Sequence, residues 1–159
     1  MVELFSPALI AVSEHGRRLA AHIPGQLLSS SPRAALERAW GASEHIVFFG
    51  ATGIAVRLVA PLLGSKHNDP ALVVVDDAGR YAISLVSGHE GGANELARWV
   101  AGRLGAEAVI STASEALPRK DAVLGIGCSR GAAAEEIETL ARETLRDRGL
   151  SVESVREIA

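Results

Sequence analysis

The sequence predicts an α/β fold: a layered, mixed but mostly parallel sheet flanked by helices, with a short second βα(β) unit at the C-terminus. Three observations carry that expectation. Short runs rich in Val and Ile alternate with longer stretches of helical period, as strands joined by crossover helices do. The run Leu72-Val73-Val74-Val75 is apolar without alternation, which calls for cover on both faces, as in the middle of a parallel sheet. The chain has 159 residues, 48% hydrophobic and 22% charged, enough to bury one ordinary core and far from a disordered composition.

In chain order, strands are expected at Leu9 to Ser13, Ile46 to Phe49, Leu72 to Asp76, Tyr81 to Leu85, Ala108 to Ile110 and Ala122 to Ile126. Helices are expected near Arg17 to His22, Arg33 to Trp40, Thr52 to Leu62, Ala93 to Leu104 and Ala133 to Arg148. Ser31-Pro32 opens the second helix and Gly149 closes the last, because Ser caps, Pro is preorganised for a first turn, and Gly ends helices. Asp77-Ala78-Gly79-Arg80 reads as a tight hairpin turn, so its two strands run antiparallel and the sheet is mixed. Residues 1–117 make a first domain on this reading and residues 118–159 a partial second one. Near Pro118 the Gly and His clusters give way to one strand, a Gly-rich turn and a charged helix. That last unit, with a second strand reaching Ile158, is too small to bury a core of its own.

Composition narrows the function classes. Sixteen Lys and Arg against nineteen Asp and Glu give a net charge of -3, so no general basic field is available for a nucleic-acid backbone. Aromatics are 4% while Ala numbers 27; helices must pack through small side chains, and no aromatic platform for stacked bases is expected. The lone Cys128 cannot form an internal disulfide and is read as a buried, inert thiol. Met1 to Ile10 carries no basic region ahead of a long apolar run, so the cytoplasm is the expected compartment. Ile54 to Leu63, among the best apolar stretches, is broken by Arg57 and Pro61 and falls short of the roughly 18 residues a membrane span needs.

The most informative segment is Ser84-Leu85-Val86-Ser87-Gly88-His89-Glu90-Gly91-Gly92-Ala93-Asn94-Glu95. It leaves a strand and enters a helix, and its glycines permit a tight turn with backbone N–H groups exposed at a helix N-terminus, an anion site. His89 lies within reach of such an anion and could move protons beside it. The bland alternative has Ser87 or Asn94 capping the helix and His89 on the surface; the pattern leaves both open. Gly50-Ala51-Thr52-Gly53 repeats the strand, turn and helix, so two Gly-bearing loops at strand C-terminal ends could face one crevice. Arg57, one turn further, could clamp a carboxylate, or stay on the surface or pair with Asp69. Lys66 and Asp69 lie in a polar loop, where Asp69 could simply bond local backbone.

Sharper motifs are absent. There is no GxxxxGK[ST] and no HExxH, and His15, His22, His45, His67 and His89 show no metal-ligand spacing. Gly125 to Gly131 is GxGxxxG, one residue longer than the dinucleotide fingerprint; a nucleotide-phosphate binder using this turn is a distant rival.

Val56-Arg57, Ala60-Pro61-Leu62-Leu63, Lys66, Asp69-Pro70, the Val-rich strand with Asp76, then Ile83 to His89 and Gly91-Gly92-Ala93-Asn94 together resemble the N-terminal domain of the CbiG family of cobalamin biosynthesis. The resemblance covers about residues 44 to 116, and SGHxGGAN is its specific phrase. Residues 122 to 159 look like the start of the family's C-terminal domain. Members usually carry a middle region between the two, which Pro118 to Asp121 replaces here.

The resemblance implies a cobalt-precorrin-5A hydrolase of anaerobic vitamin B12 synthesis. Such an enzyme opens a ring-A lactone, releases acetaldehyde and forms cobalt-precorrin-5B. On that footing His89 and Glu90 are the candidate catalytic residues. Gly50, Thr52, Gly53, Arg57, Lys66, Asp69, Ser87, Gly88, Gly91, Gly92 and Asn94 would hold substrate, with the Gly91 and Gly92 N–H groups facing the oxyanion. No resident cofactor or protein-bound metal is implied, because cobalt arrives inside the substrate. The implied partners are a cobalt-corrinoid intermediate, neighbouring cobalamin-pathway enzymes and further copies of the chain, with no nucleic acid and no membrane. The alternative is a non-catalytic corrinoid carrier or shortened paralogue.

Overall fold

Leu72 to Val75 are buried without exception, as an uninterrupted apolar run in a central strand must be. They belong to β4 in a computed structural model that describes residues 5–65, 67–112 and 122–158. The chain divides into two compact units, residues 1–112 and 113–159; the boundary expected at Pro118 lies outside the described residues. The first unit runs β1 (Ala8–Ala11), α1 (Glu14–Ala20), β2 (Gln26–Leu27), α2 (Pro32–Trp40), β3 (His45–Phe49) and α3 (Thr52–Val59). A 3-10 turn (Ala60–Leu62), β4 (Ala71–Val75), β5 (Tyr81–Val86), α4 (Ala93–Leu104) and β6 (Glu107–Val109) complete it.

Six strands lie in the order β2-β1-β3-β4-β5-β6. Every pair is parallel except β4 with β5, which are antiparallel, so the sheet is mixed as the sequence predicts. Successive strand residues face opposite sides, and this sorts the core into two layers. Val47, Phe49, Val73 and Val75 pack with Leu96, Ala97 and Val100 of α4 and Ala20 of α1. Ile46, Phe48, Leu72 and Val74 pack with Leu36 and Ala39 of α2 and Ala55 and Val59 of α3. The abundant Ala lets these helices approach the sheet closely.

Local chemistry sets the boundaries. Helix α1 starts three residues earlier than expected because Ser13 leaves the strand to cap it, accepting from Gly16 N–H at 2.9 Å while its hydroxyl donates to Asp77 at 2.8 Å. Helix α2 opens on Ser31 and Pro32 as expected. The helix expected over Thr52 to Leu62 tightens into a 3-10 turn at Ala60, since Pro61 has no N–H to continue the α ladder. The hairpin turn is held by the Asp76 carboxylate, which accepts from the N–H groups of Arg80 (2.7 Å) and Tyr81 (2.8 Å). The two-residue β2 had no periodic signal to reveal it.

The second unit contains β7 (Ala122–Leu124), α5 (Ala134–Asp147), a 3-10 turn (Val152–Ser154) and β8 (Val155–Ile158), with β7 and β8 parallel. Gly149, at φ 67°, ends α5 as predicted. Cys128 is exposed rather than buried, because it lies in the irregular stretch between β7 and α5 instead of on an inward strand face. No helix among the described residues is long and apolar enough to cross a membrane.

Candidate functional site

Strand direction decides which loops can meet. The C-terminal end of β3 at Phe49 pairs with Val75, but Val75 pairs with Ala82 at the start of β5. At the other end Ile46 pairs with Leu72, and Leu72 with Val86 at the end of β5. The loop after β5 therefore opens at the opposite end of the sheet from the loop after β3. Gly50, Thr52 and Gly53 do not share a crevice with Ser87 to Gly92, contrary to expectation, because the antiparallel hairpin reverses β5. The separation is one five-residue strand, on the order of 15 Å.

The Ser87 to Asn94 loop is tightly specified. Ser87 has φ 57°, a left-handed conformation costly for a non-glycine residue. Its hydroxyl donates to the Asp69 carbonyl at 2.8 Å, and its own carbonyl accepts from Gly91 N–H and Ala93 N–H, both at 3.1 Å. This crossing explains two of the glycines. A Cβ on Gly91 would lie 2.5 Å from the Ser87 Cβ, and one on Gly88 would lie 2.7 Å from the Thr112 methyl. Gly92, at φ 83°, is the N-cap of α4 without any side-chain cap, so neither Ser87 nor Asn94 caps the helix. Asn94 is fully buried. Its Oδ1 accepts from Ser84 Oγ (2.8 Å) and its Nδ2 donates to Thr112 Oγ1 (3.0 Å), so it fastens the loop from beneath instead of facing a ligand. The Gly91 N–H is likewise committed to Ser87 and is not open to an oxyanion. Gly92 N–H carries no hydrogen bond among the described residues.

An open cleft of about 570 Å³ adjoins this loop at the N-terminal ends of β3 and β4. Its polar lining includes Glu44, His45, His67, Asp69 and Glu90. His67 Nδ1 stands 3.4 Å from Glu90 Oε2, with the two side chains 65% and 40% exposed. The His45 ring is met edge-on by Phe5 at 5.0 Å between centroids, and its Nε2 lies 4.0 Å from where a Cβ on Gly92 would stand. Both Asp69 oxygens accept from Gly64 N–H at 3.1 Å, so this carboxylate closes its own loop. His89 is exposed and is not among the cleft's lining residues. Arg57 is exposed on α3 with no ion pair among the described residues, and Lys66 lies outside them. Two imidazoles and three carboxylates can bind and move protons here; among the described residues no group of three or more His, Cys, Asp or Glu could hold a metal ion.

His45 and His67 were invisible to spacing arguments. They are brought to one end of the sheet by the parallel pairing of His45 with Ala71, just after the His67 loop. Only a correct β3–β4 register would have placed them together.

The family model described as Cobalamin synthesis G N-terminal matches residues 34–115, more than half of the chain and every lining residue of this cleft. The chain belongs to the CbiG family. A second family model, Cobalamin synthesis G C-terminus, matches residues 122–159. Two curated relatives are called cobalt-precorrin-5A hydrolase. The one from Salmonella typhimurium is 59% identical over 70 residues, 44% of this chain and 20% of the relative. The one from Priestia megaterium is 46% identical over 90 residues, 57% of this chain and 24% of the relative. The matches thus span about a quarter or less of the length of those relatives. A solved structure of a cobalamin biosynthesis protein G homolog from Sulfolobus solfataricus superposes with a TM-score of 0.56 at 25% identity, over 83% of this chain and 52% of that one.

Proposed function

We propose that this CbiG chain is a cytoplasmic cobalt-precorrin-5A hydrolase that opens the ring-A lactone and releases acetaldehyde to give cobalt-precorrin-5B. The observation that carries the reading is the overlap of one segment with one site. Residues 34–115 match the family, and they include the Ser87 to Gly92 loop and the whole cleft beside it. The curated relatives are named for this hydrolysis.

Lactone opening needs a base to activate water, a donor for the tetrahedral oxyanion and a means of holding the macrocycle. The loop offers the acid–base side chains of His89 and Glu90. Gly92 N–H, at the start of the twelve-residue α4, is the donor for the oxyanion. Ser87 and Gly88 shape the loop that meets the substrate, and Asp69 is tied to Ser87 through its carbonyl. Arg57 and Lys66 supply cations for the substrate's acetate and propionate groups. Cobalt enters as part of the substrate, and no resident cofactor is required. Neighbouring pathway enzymes deliver and remove the pigment, and further copies of the chain are candidate partners.

Anaerobic incubation of cobalt-precorrin-5A with the protein in oxygen-18 water tests the reading. One labelled oxygen is expected in the newly freed carboxylate. Unlabelled, unchanged pigment that still co-elutes with the protein would favour the carrier alternative.

A further inference from the structure

We infer that His67, oriented by Glu90, is the general base of this site. The inference rests on the hydrolase reading above and assigns it a residue outside the Gly-rich phrase. His67 comes from the loop before β4 and Glu90 from the loop after β5, and the antiparallel pairing of these strands brings the two loops together. Nδ1 of His67 is 3.4 Å from the Glu90 carboxylate, and both side chains line the cleft. A carboxylate on that side keeps the imidazole proton on Nδ1 and leaves the Nε2 lone pair free to accept another. The same carboxylate stabilises the imidazolium once it forms. His89 has neither advantage: it lies off the cleft lining and has no ion-pair or side-chain hydrogen-bond partner among the described residues.

The step balances without any co-reactant beyond water. Nε2 of His67 takes a proton from a water molecule as the water oxygen bonds to the lactone carbonyl carbon, and the carbonyl π pair moves onto its oxygen. When that pair returns, the bond between the acyl carbon and the ring oxygen breaks. The departing alkoxide takes the proton back from the imidazolium, and the site returns to its starting state. His67 is the catalytic residue and Glu90 its positioning residue.

Two measurements on the full chain decide the assignment. In turnover of cobalt-precorrin-5A, His67→Ala should lower kcat about 100-fold or more with KM little changed, the usual worth of a general base. Glu90→Gln should cost about tenfold, His89→Ala less than His67→Ala, and His15→Ala, on α1, nothing. Nitrogen-15 NMR of the substrate-free protein should show His67 protonated on Nδ1, and Glu90→Ala should return it towards the Nε2-protonated form that an unconstrained neutral histidine side chain prefers. A His67→Ala protein keeping more than a third of kcat, or a His89→Ala protein losing more than His67→Ala, overturns the assignment. If wild type makes no product, the hydrolase reading fails by itself. The tautomer still decides the pair, since an Nε2-protonated His67 indifferent to Glu90→Ala overturns it.

Discussion

Among the described residues of the first unit Asn94 is the polar side chain that is completely buried, and its amide joins β5 to the segment after β6 through Ser84 and Thr112. Asn94→Ala removes both bonds and strands two half-buried hydroxyls. A loss of about 2 kcal/mol is expected in urea denaturation. Gly91→Ala forces a methyl to within 2.5 Å of the Ser87 Cβ, which should cost about 1–3 kcal/mol and weaken pigment binding as the loop shifts. A pH effect belongs to Asp76. Burial alone would raise its carboxyl, but hydrogen bonds from Tyr81 N–H, the Arg80 side chain and Arg80 N–H, together with the Arg80 charge, hold it below the usual carboxylate range. A depressed pKa contributes stability that is present above the unfolded-state value and lost as pH falls through the lower folded value. Wild type should therefore lose stability in that acid window, and Asp76→Ala should show a smaller loss there; identical slopes would remove Asp76 from the account. At this scale the sequence displayed the turn glycines but not their cause. SGHEGGAN reads as a tight turn with N–H groups open to an anion, whereas Gly88 and Gly91 are fixed by close approach and Asn94 by burial.

Among the elements, periodicity and turn chemistry were legible because they are local. The range of α4 was read as it stands and the hairpin at Asp77 to Arg80 correctly made β4 and β5 antiparallel, whereas the helix expected through Leu62 overran Pro61, where α3 gives way to a 3-10 turn. What failed was carrying that hairpin through to its consequence. Each Gly loop follows a strand, so each looked like part of one crevice, yet a reversed β5 sends them to opposite ends of the sheet. The cleft that forms instead depends on register between β3, β4 and β5, and no spacing within the sequence encodes His45 beside the His67 loop. The second unit offers a separate prediction. Among its described residues Leu145 alone is buried, and an apolar groove of about 360 Å³ lined by Leu124, Ile137, Ala141, Leu145, Val155 and Ile158 runs under α5. Backbone amides of β7, α5 and β8 should exchange with solvent far faster than those of β3 and β4. Equal protection in hydrogen exchange would show that the small unit is as stable as the sheet.

For the molecule as a whole, family and fold agree. Both CbiG family models match in order, and the mixed sheet follows a homologue's fold over most of this chain. The cleft, its imidazoles and the constrained loop all lie in the N-terminal match. The proposed chemistry therefore belongs to the first unit. Acetaldehyde release from cobalt-precorrin-5A under strictly anaerobic conditions is the most direct measurement of that claim. One equivalent of acetaldehyde per pigment, with several turnovers per chain and a sharp loss in His67→Ala, is the predicted result. Pigment that binds stoichiometrically to wild type and is recovered intact, with no acetaldehyde, would contradict it.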